Sequence, residues 1–324
     1  LDSCHYPSGL YSASRKGVDT GYNKAWIRDN LYIALGLESV GETDKALDIV
    51  YAIFNILIKH EDKIDWAIKK KPKHAHQYIH ARYDPDTLEE FHEEWGNKQN
   101  DCIGLFLFIV GTWVEKEHII LKLKQFEILD KLIKYLASIK YWKDEDNGMW
   151  EETEEVHASS VGACVAGLKA ITGIVYVPKA LIELGENSLN KLLPFENKEG
   201  KIDLALLSLI YPYDIVNKQQ KEQILENMDE LKGEFSYKRY IGDQYYNNGR
   251  EAEWPLGTIW LGIIALQDGK QRAALSYKRH ILGFMNESGE IPEIIFPDDG
   301  KHNNNIPLCW AQAMFLTLNK TFKY

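Results

Sequence analysis

The sequence predicts an all-α protein, and three observations carry that prediction. Apolar residues recur at spacings of three and four through about ten to twelve segments along the 324 residues. Strand signals are few and short, the best being VYV and EIPEIIF, with no β–α–β alternation and no Gly-rich phosphate fingerprint. No Pro-, Gly- or Ser-rich linker divides the chain, so residues 1–324 read as one domain.

Residues 24–41 place apolar side chains on a helical face, and Thr43 with Asp44 marks the start of a second helix running through Ile58. Residues 60–95 change character: they are basic, His-rich and interrupted by Pro72 and Pro85. They read as an excursion of about 35 residues between helices, a length usually reserved for functional or disordered loops. Helical pattern returns at 100–115 and 124–140. The polar stretch YWKDEDNGMWEETEEVHASS then leads into a small-residue apolar helix over 159–174. Further helices fit 178–194, 218–231, 253–267, 270–286 and 307–319. Successive helical hairpins suggest a toroid, which would gather the long loops at one end around a single concave site. Periodicity alone fits a bundle or a solenoid equally well.

Hydrophobic residues make up 45% and charged residues 27%, an ordinary globular composition. A chain of this size buries roughly three quarters of its unfolded surface and needs no staples. The net charge of −10 argues against nucleic acid, which calls for a basic face, and against an anionic membrane surface. A neutral sugar is compatible. Nine Trp and eighteen Tyr read first as core rings and second as stacking platforms for the apolar face of a pyranose. Cys4, Cys102, Cys164 and Cys309 show no zinc or redox spacing, and Cys102 and Cys164 lie in apolar helical runs as inert core thiols. No apolar run reaches the ~18–20 residues of a membrane span, and no signal peptide is present, so a cytoplasmic location is expected.

Five polar, aromatic-rich segments could carry chemistry: AWIRDN (25–30), HARYDPDTLEEFHEEWGNKQND (80–101), NGMWEE (147–152), YKRYIGDQYYNNGREAEW (237–254) and GEIPEIIFPDDG (289–300). Glycoside hydrolysis needs one carboxylic acid to protonate the leaving oxygen and a second carboxylate to activate water or attack the sugar. Arginines and acids that grip hydroxyls position the ring. The segments contain all these groups, yet each has a plainer reading. WEETEE suits a helix start, where acids complement the dipole. Arg28 and Asp29 suit a surface or cap pair. Glu293 is an anonymous loop acid. His74, His76 and His80 have no acidic or Cys partner at metal-binding spacing and suit a solvated loop.

Taken in order, these segments resemble glycoside hydrolase family 15, the glucoamylase family, and the related amino-terminal domain of the phosphorylase kinase α subunit. AWIRDN is similar to the family's W-x-R-D motif, and WGNKQND to its aromatic–Gly–x–x–Gln–x–Asp segment. NGMWEE is similar to the acid motif W-E-E, RYIGDQYYNN to R-Y-x-x-D-x-Y-Y-N, and IPEIIF to the P-E-Q motif of the base. ASSVGACVAGLKAI and EWPLGTIW are closer to the phosphorylase kinase branch.

The resemblance implies an (α/α)6 barrel, a toroid of helical hairpins; the sequence departs from the family in showing neither the β-sandwich of prokaryotic members nor a starch-binding module, which favours short substrates. It implies an inverting, exo-acting α-glucosidase that releases β-glucose from short α-glucans without metal or cofactor. Glu151 would be the general acid and Glu293 the general base. Arg28 and Asp29 would bind the terminal glucose. Arg82, Glu152 and Arg239 would hold the next sugar or tune the acid, and Trp95 and Trp150 would line the pocket. Asn248, Gly249 and Arg250 lengthen the stretch before Trp254 relative to the family pattern, which argues against Trp254 in the pocket. Two other readings follow from the same resemblance: a non-catalytic regulatory domain like that of phosphorylase kinase, and the same hydrolase acting on α-1,6-linked glucose or trehalose.

Overall fold

The computed structural model describes residues 1–93 and 95–320. Its helices are α1 (Ile27–Ser39), α2 (Thr43–Lys59), α3 (Glu61–Lys70), α4 (Asn100–Glu115), α5 (Leu123–Ile139), α6 (Ala158–Ile171), α7 (Lys179–Leu192), α8 (Lys218–Asn227), α9 (Pro255–Gln267), α10 (Gln271–Leu282) and α11 (Cys309–Lys320). Six segments close a ring. α1 packs on α4, α4 on α6, α6 on a short 3-10 helix at Leu204–Leu209, that helix on α9, α9 on α11, and α11 on α1. The protein is an (α/α)6 barrel.

Composition decides which helices form the inner ring. α4, α6 and α9 are apolar on nearly every face, the pattern of a helix surrounded by protein. α7 and α10 bury only a narrow stripe, Leu181, Gly185 and Leu189 in one and Ala274 and Ile281 in the other. They pack outside, on α6 and α9. The tightest inner seam is built on glycine. A Cβ at Gly104 of α4 would overlap the Ala163 backbone of α6, and one at Gly167 of α6 would overlap the Gly104 carbonyl. Backbones this close maximise dispersion contact, and any larger residue would force them apart.

Helices matched the apolar periodicity within a few residues, with two departures. Residues 61–70, expected in the long excursion, form α3. Its apolar face is only Ile64 and Ala67, too narrow to stand out among lysines and acids. Ion pairs to α5 hold it, Lys131–Asp65 at 2.6 Å and Lys124–Glu61 at 2.7 Å. The 3-10 helix at Leu204–Leu209 is the second departure: six residues are too few to reveal a period. VYV and EIPEIIF make only isolated bridges, such as Glu253 with Ile295. The strands are instead β1 (Ala25–Trp26) and β2 (Arg82–Tyr83), paired antiparallel with Trp26 opposite Arg82.

All four cysteines are buried and free. Among the described residues, no helix is long and apolar enough to cross a membrane, and no cluster of three or more His, Cys, Asp or Glu is arranged to hold a metal ion.

Candidate active site

The loops that precede the inner helices meet in one cleft. Tyr22, Trp26, Arg28, Asp29, Met149, Trp150, Glu151, Arg239, Trp254, Glu293 and Trp310 line it, with Ala13 and Leu308. Six of the nine sequence-predicted residues therefore share one wall system: Arg28, Asp29, Trp150, Glu151, Arg239 and Glu293. Arg82, Trp95 and Glu152 stand behind or beside it. Trp254, which the longer loop argued against, does line the cleft; Trp254 N donates to Tyr237 O at 2.7 Å, and that bridge ties the two ends of the stretch containing the extra residues together.

Glu151 does not open a helix, as its acidic neighbours suggested. It sits in a turn with φ of 64°, a left-handed conformation unusual for a residue with a side chain. α6 starts only at Ala158. The turn is held from below: Glu152 N donates to Asn147 O at 3.0 Å, and Asn147 exchanges backbone and side-chain hydrogen bonds with Lys98. Gly96 packs directly under the Glu151 carbonyl, where a Cβ would overlap it. The Glu151 carboxylate accepts from the indoles of Trp26 and Trp95, one on each oxygen, and lies 3.6 Å from Arg28 Nη2. Trp95 itself is 45% exposed at the mouth, with the Arg82 guanidinium 4.2 Å from its ring centre. Arg82 also pairs with Glu93 at 3.3 Å. Glu152 turns away from Glu151: its carboxylate takes hydrogen bonds from Arg239, at 2.7 Å, and from Tyr240.

Arg28 and Asp29 occupy the first turn of α1 and are almost fully buried. Arg28 donates to Gln99 Oε1 at 3.0 Å, to Met149 O and to Asp29 Oδ1 at 3.1 Å, while Trp310 lies flat beneath its guanidinium, 5.0 Å away. Burial works against the Arg28 charge, but Asp29, Glu151 and Asp101 outweigh it and raise its pKa. Burial pushes the Asp29 carboxyl up to about 6; Arg28 opposes this, and Glu151 and Glu293 add to it.

Glu293 is 1% exposed. Asn303 Nδ2 and Asn305 Nδ2 both donate to its Oε2, at 2.5 and 2.8 Å, and the Tyr245 hydroxyl stands 3.2 Å from each oxygen. Tyr245 is joined to Tyr22 at 2.8 Å. Burial raises the Glu293 pKa, and hydrogen bonds from Tyr22, Asn305, Asn303 and Tyr245 counter it.

The remaining wall is aromatic. Trp150 stacks near Trp310 and leans on Trp254, and its indole N–H is fixed by Asp203 at 2.7 Å. Sequence reasoning missed Trp310, Tyr22, Tyr245, Asn303 and Asn305. The asparagines lie in a polar loop with no periodic signal, and Trp310, inside the expected helix 307–319, reads as one more apolar helical residue. Tyr22 and Tyr245 meet only because the ring closes residues 223 positions apart in sequence.

Two glutamates, a buried Arg–Asp pair and flat aromatic rings thus share one cleft. The sequence model of Glycosyl hydrolases family 15 matches residues 3–253, and the chain belongs to that family. The rabbit (Oryctolagus cuniculus) phosphorylase b kinase regulatory subunit alpha, skeletal muscle isoform, is 23% identical, covering 97% of this chain and 31% of its own. An uncharacterized glycosyl hydrolase of Methanocaldococcus jannaschii is 24% identical over 60% of this chain and 37% of its own. The chain thus spans about a third of the length of these curated relatives. A solved wild-type glycosidase shares the fold with a TM-score of 0.84 at 19% identity, covering 98% of this chain and 93% of that one; a variant of it in complex with glucose scores 0.83.

Proposed function

We propose that the chain is an inverting, exo-acting α-glucosidase that releases β-glucose from the non-reducing ends of short α-glucans. The observation that carries this reading is that Glu151 and Glu293, from loops 142 positions apart in sequence, line one cleft together with the Arg28–Asp29 grip. Glu151 gives its proton to the glycosidic oxygen as the C1–O bond breaks. Glu293 takes a proton from the water that attacks C1 from the opposite face. Arg28 and Asp29 hold hydroxyls of the terminal glucose, with Trp150 and Trp310 against its apolar face. Trp95 and Arg82, at the mouth beside Glu151, face the leaving sugar. Arg239 and Glu152 buttress the wall at Trp150. No metal or cofactor enters these steps.

Incubation with maltose, maltotriose, isomaltose and trehalose, followed by NMR of the anomeric signals, tests the reading and ranks the linkages. β-Glucose first is the expected result; α-glucose first rejects the two roles. Glu151→Gln and Glu293→Gln should each lower turnover by about 10²–10⁴-fold with the fold retained. A second reading, a non-catalytic regulatory domain, draws on the phosphorylase b kinase similarity along 97% of the chain. It predicts sugar binding without release from any of the four.

A further inference from the structure

Two amides converge on a single oxygen of Glu293. Asn303 Nδ2 and Asn305 Nδ2 both reach Oε2, and neither reaches Oε1. Asn305 is the more firmly anchored, since the Asn303 side-chain carbonyl is buried without a partner among the described residues. Asn305 is fully buried; its carbonyl oxygen accepts from Thr20 Oγ1 at 2.5 Å, and its backbone carbonyl accepts from Glu293 N at 3.0 Å. Asn303 is 6% exposed and lies two residues away on the same loop. The two carboxylate oxygens are chemically identical in isolation. Here Oε2 accepts from two amides, whereas Oε1 takes no amide; the Tyr245 hydroxyl stands 3.2 Å from either oxygen, and the Tyr22 hydroxyl also bonds the carboxylate.

We propose that Asn303 and Asn305 are positioning residues that make the base one-sided: they saturate Oε2 of Glu293 and leave Oε1 as the oxygen that receives the water's proton. This rests on the reading of Glu293 as the base. In the step itself, the water oxygen bonds to C1, the C1–O bond to the leaving sugar breaks, the water's proton passes to Oε1, and Glu151 supplies the proton that the leaving oxygen takes. The amides stay fixed throughout. Both hydrogen bonds end on Oε2, so rotation about the last side-chain bond, which would exchange the two oxygens, has to break both.

The groups facing Glu293 are the Tyr22 and Tyr245 hydroxyls and Asp29, with Glu151 and Arg239 elsewhere in the cleft. Removing an amide donor destabilises the ionised base and moves the acid limb of kcat/KM upward. Asn303→Ala and Asn305→Ala should each shift that limb by about one pH unit and lower kcat, with KM changed little. Asn303→Asp keeps the size but replaces the donor with a second acid, and should shift it further. A merely structural role would reduce the folded fraction and leave the limb in place, as would a limb set by Asp29. The measurement is the pH profile of glucose release by each variant, with circular dichroism to verify folding. An upward shift in both alanine variants and a larger one in Asn303→Asp supports the proposal. Folded variants with an unmoved limb overturn it. Glu293→Gln separates the two levels: if it retains turnover, or if wild type releases no glucose, the base reading falls and this proposal falls with it. If it is inactive while the limb stays fixed, only the proposal falls.

Discussion

Replacing Arg239 by Met should be the most damaging single change in the cleft wall. The guanidinium is 3% exposed and meets Asp243, which is fully buried, through Nε at 2.7 Å and Nη2 at 2.5 Å. Its other partner, Glu152, keeps a third of its side chain in solvent. Those two arms differ in weight. An exposed pair contributes at most about 1 kcal/mol, whereas removing one member of a buried pair costs about 3–5 kcal/mol because a charge is left without compensation. Without Arg239, the Asp243 carboxylate keeps the Tyr245 N–H at 2.9 Å but no cation. The folding constant should therefore fall by a factor of about 10² to 10³ or more. Glu152→Gln should cost less than about 1 kcal/mol. Urea unfolding followed by Trp fluorescence reads the difference as a lowered midpoint at constant slope. The double variant Arg239→Met/Asp243→Asn removes the orphaned charge and should recover a large part of the loss. A single variant within about 1 kcal/mol of wild type, or a double variant no better than the single, would refute the assignment of the stability to this pair.

Two further predictions concern the turn that carries Glu151. Gly96→Ala should push the Glu151 backbone out of place by on the order of 1 Å and lower kcat about 10²-fold, with a far smaller change in melting temperature; equal kcat would show that the turn yields freely. His157, at the foot of the same loop, is buried beside Glu196, Asp146 and Asp203; burial alone would lower its pKa, but these partners raise it to about 9. A raised folded-state pKa contributes stability that is fully present below the unfolded value near 6.5 and lost as pH rises through 9. His157→Gln should thus cost about 3 kcal/mol at pH 6 and flatten the decline in stability between pH 6.5 and 9, measured by chemical unfolding across that range. A variant with the wild-type slope there would count against a charged His157.

The helices were legible in their apolar periodicity, but that pattern fits a bundle or solenoid equally well, and the barrel followed from the ordered motifs. α3 and the Leu204–Leu209 segment escaped because one has a narrow apolar face and the other is too short for a period. The site divides the same way. Arg28, Asp29, Glu151 and Glu293 sit in motifs that survive as short strings. Glu151's left-handed backbone and the turn beneath it depend on Gly96, over fifty positions earlier, and no local string encodes that contact. Asn303 and Asn305 lie in a run of three asparagines that reads as an ordinary polar loop until the loop folds back on Glu293.

Four inner α-helices begin at the cleft: Arg28 and Asp29 lie in the first turn of α1, Gln99 before α4 binds Arg28, Trp254 precedes α9, and Trp310 opens α11. Each such end carries a partial positive charge of roughly half a unit. A ring of them makes an electropositive collar around the place where, in the proposed reaction, the sugar acquires cationic character at C1. Left alone, that collar would oppose the transition state. The carboxyl groups set into it, Asp29, Glu151 and Glu293, offset that field. On this view, the acidity of the cleft is the counterweight that a barrel of parallel inner helices must carry before it can stabilise a glycosyl cation at all.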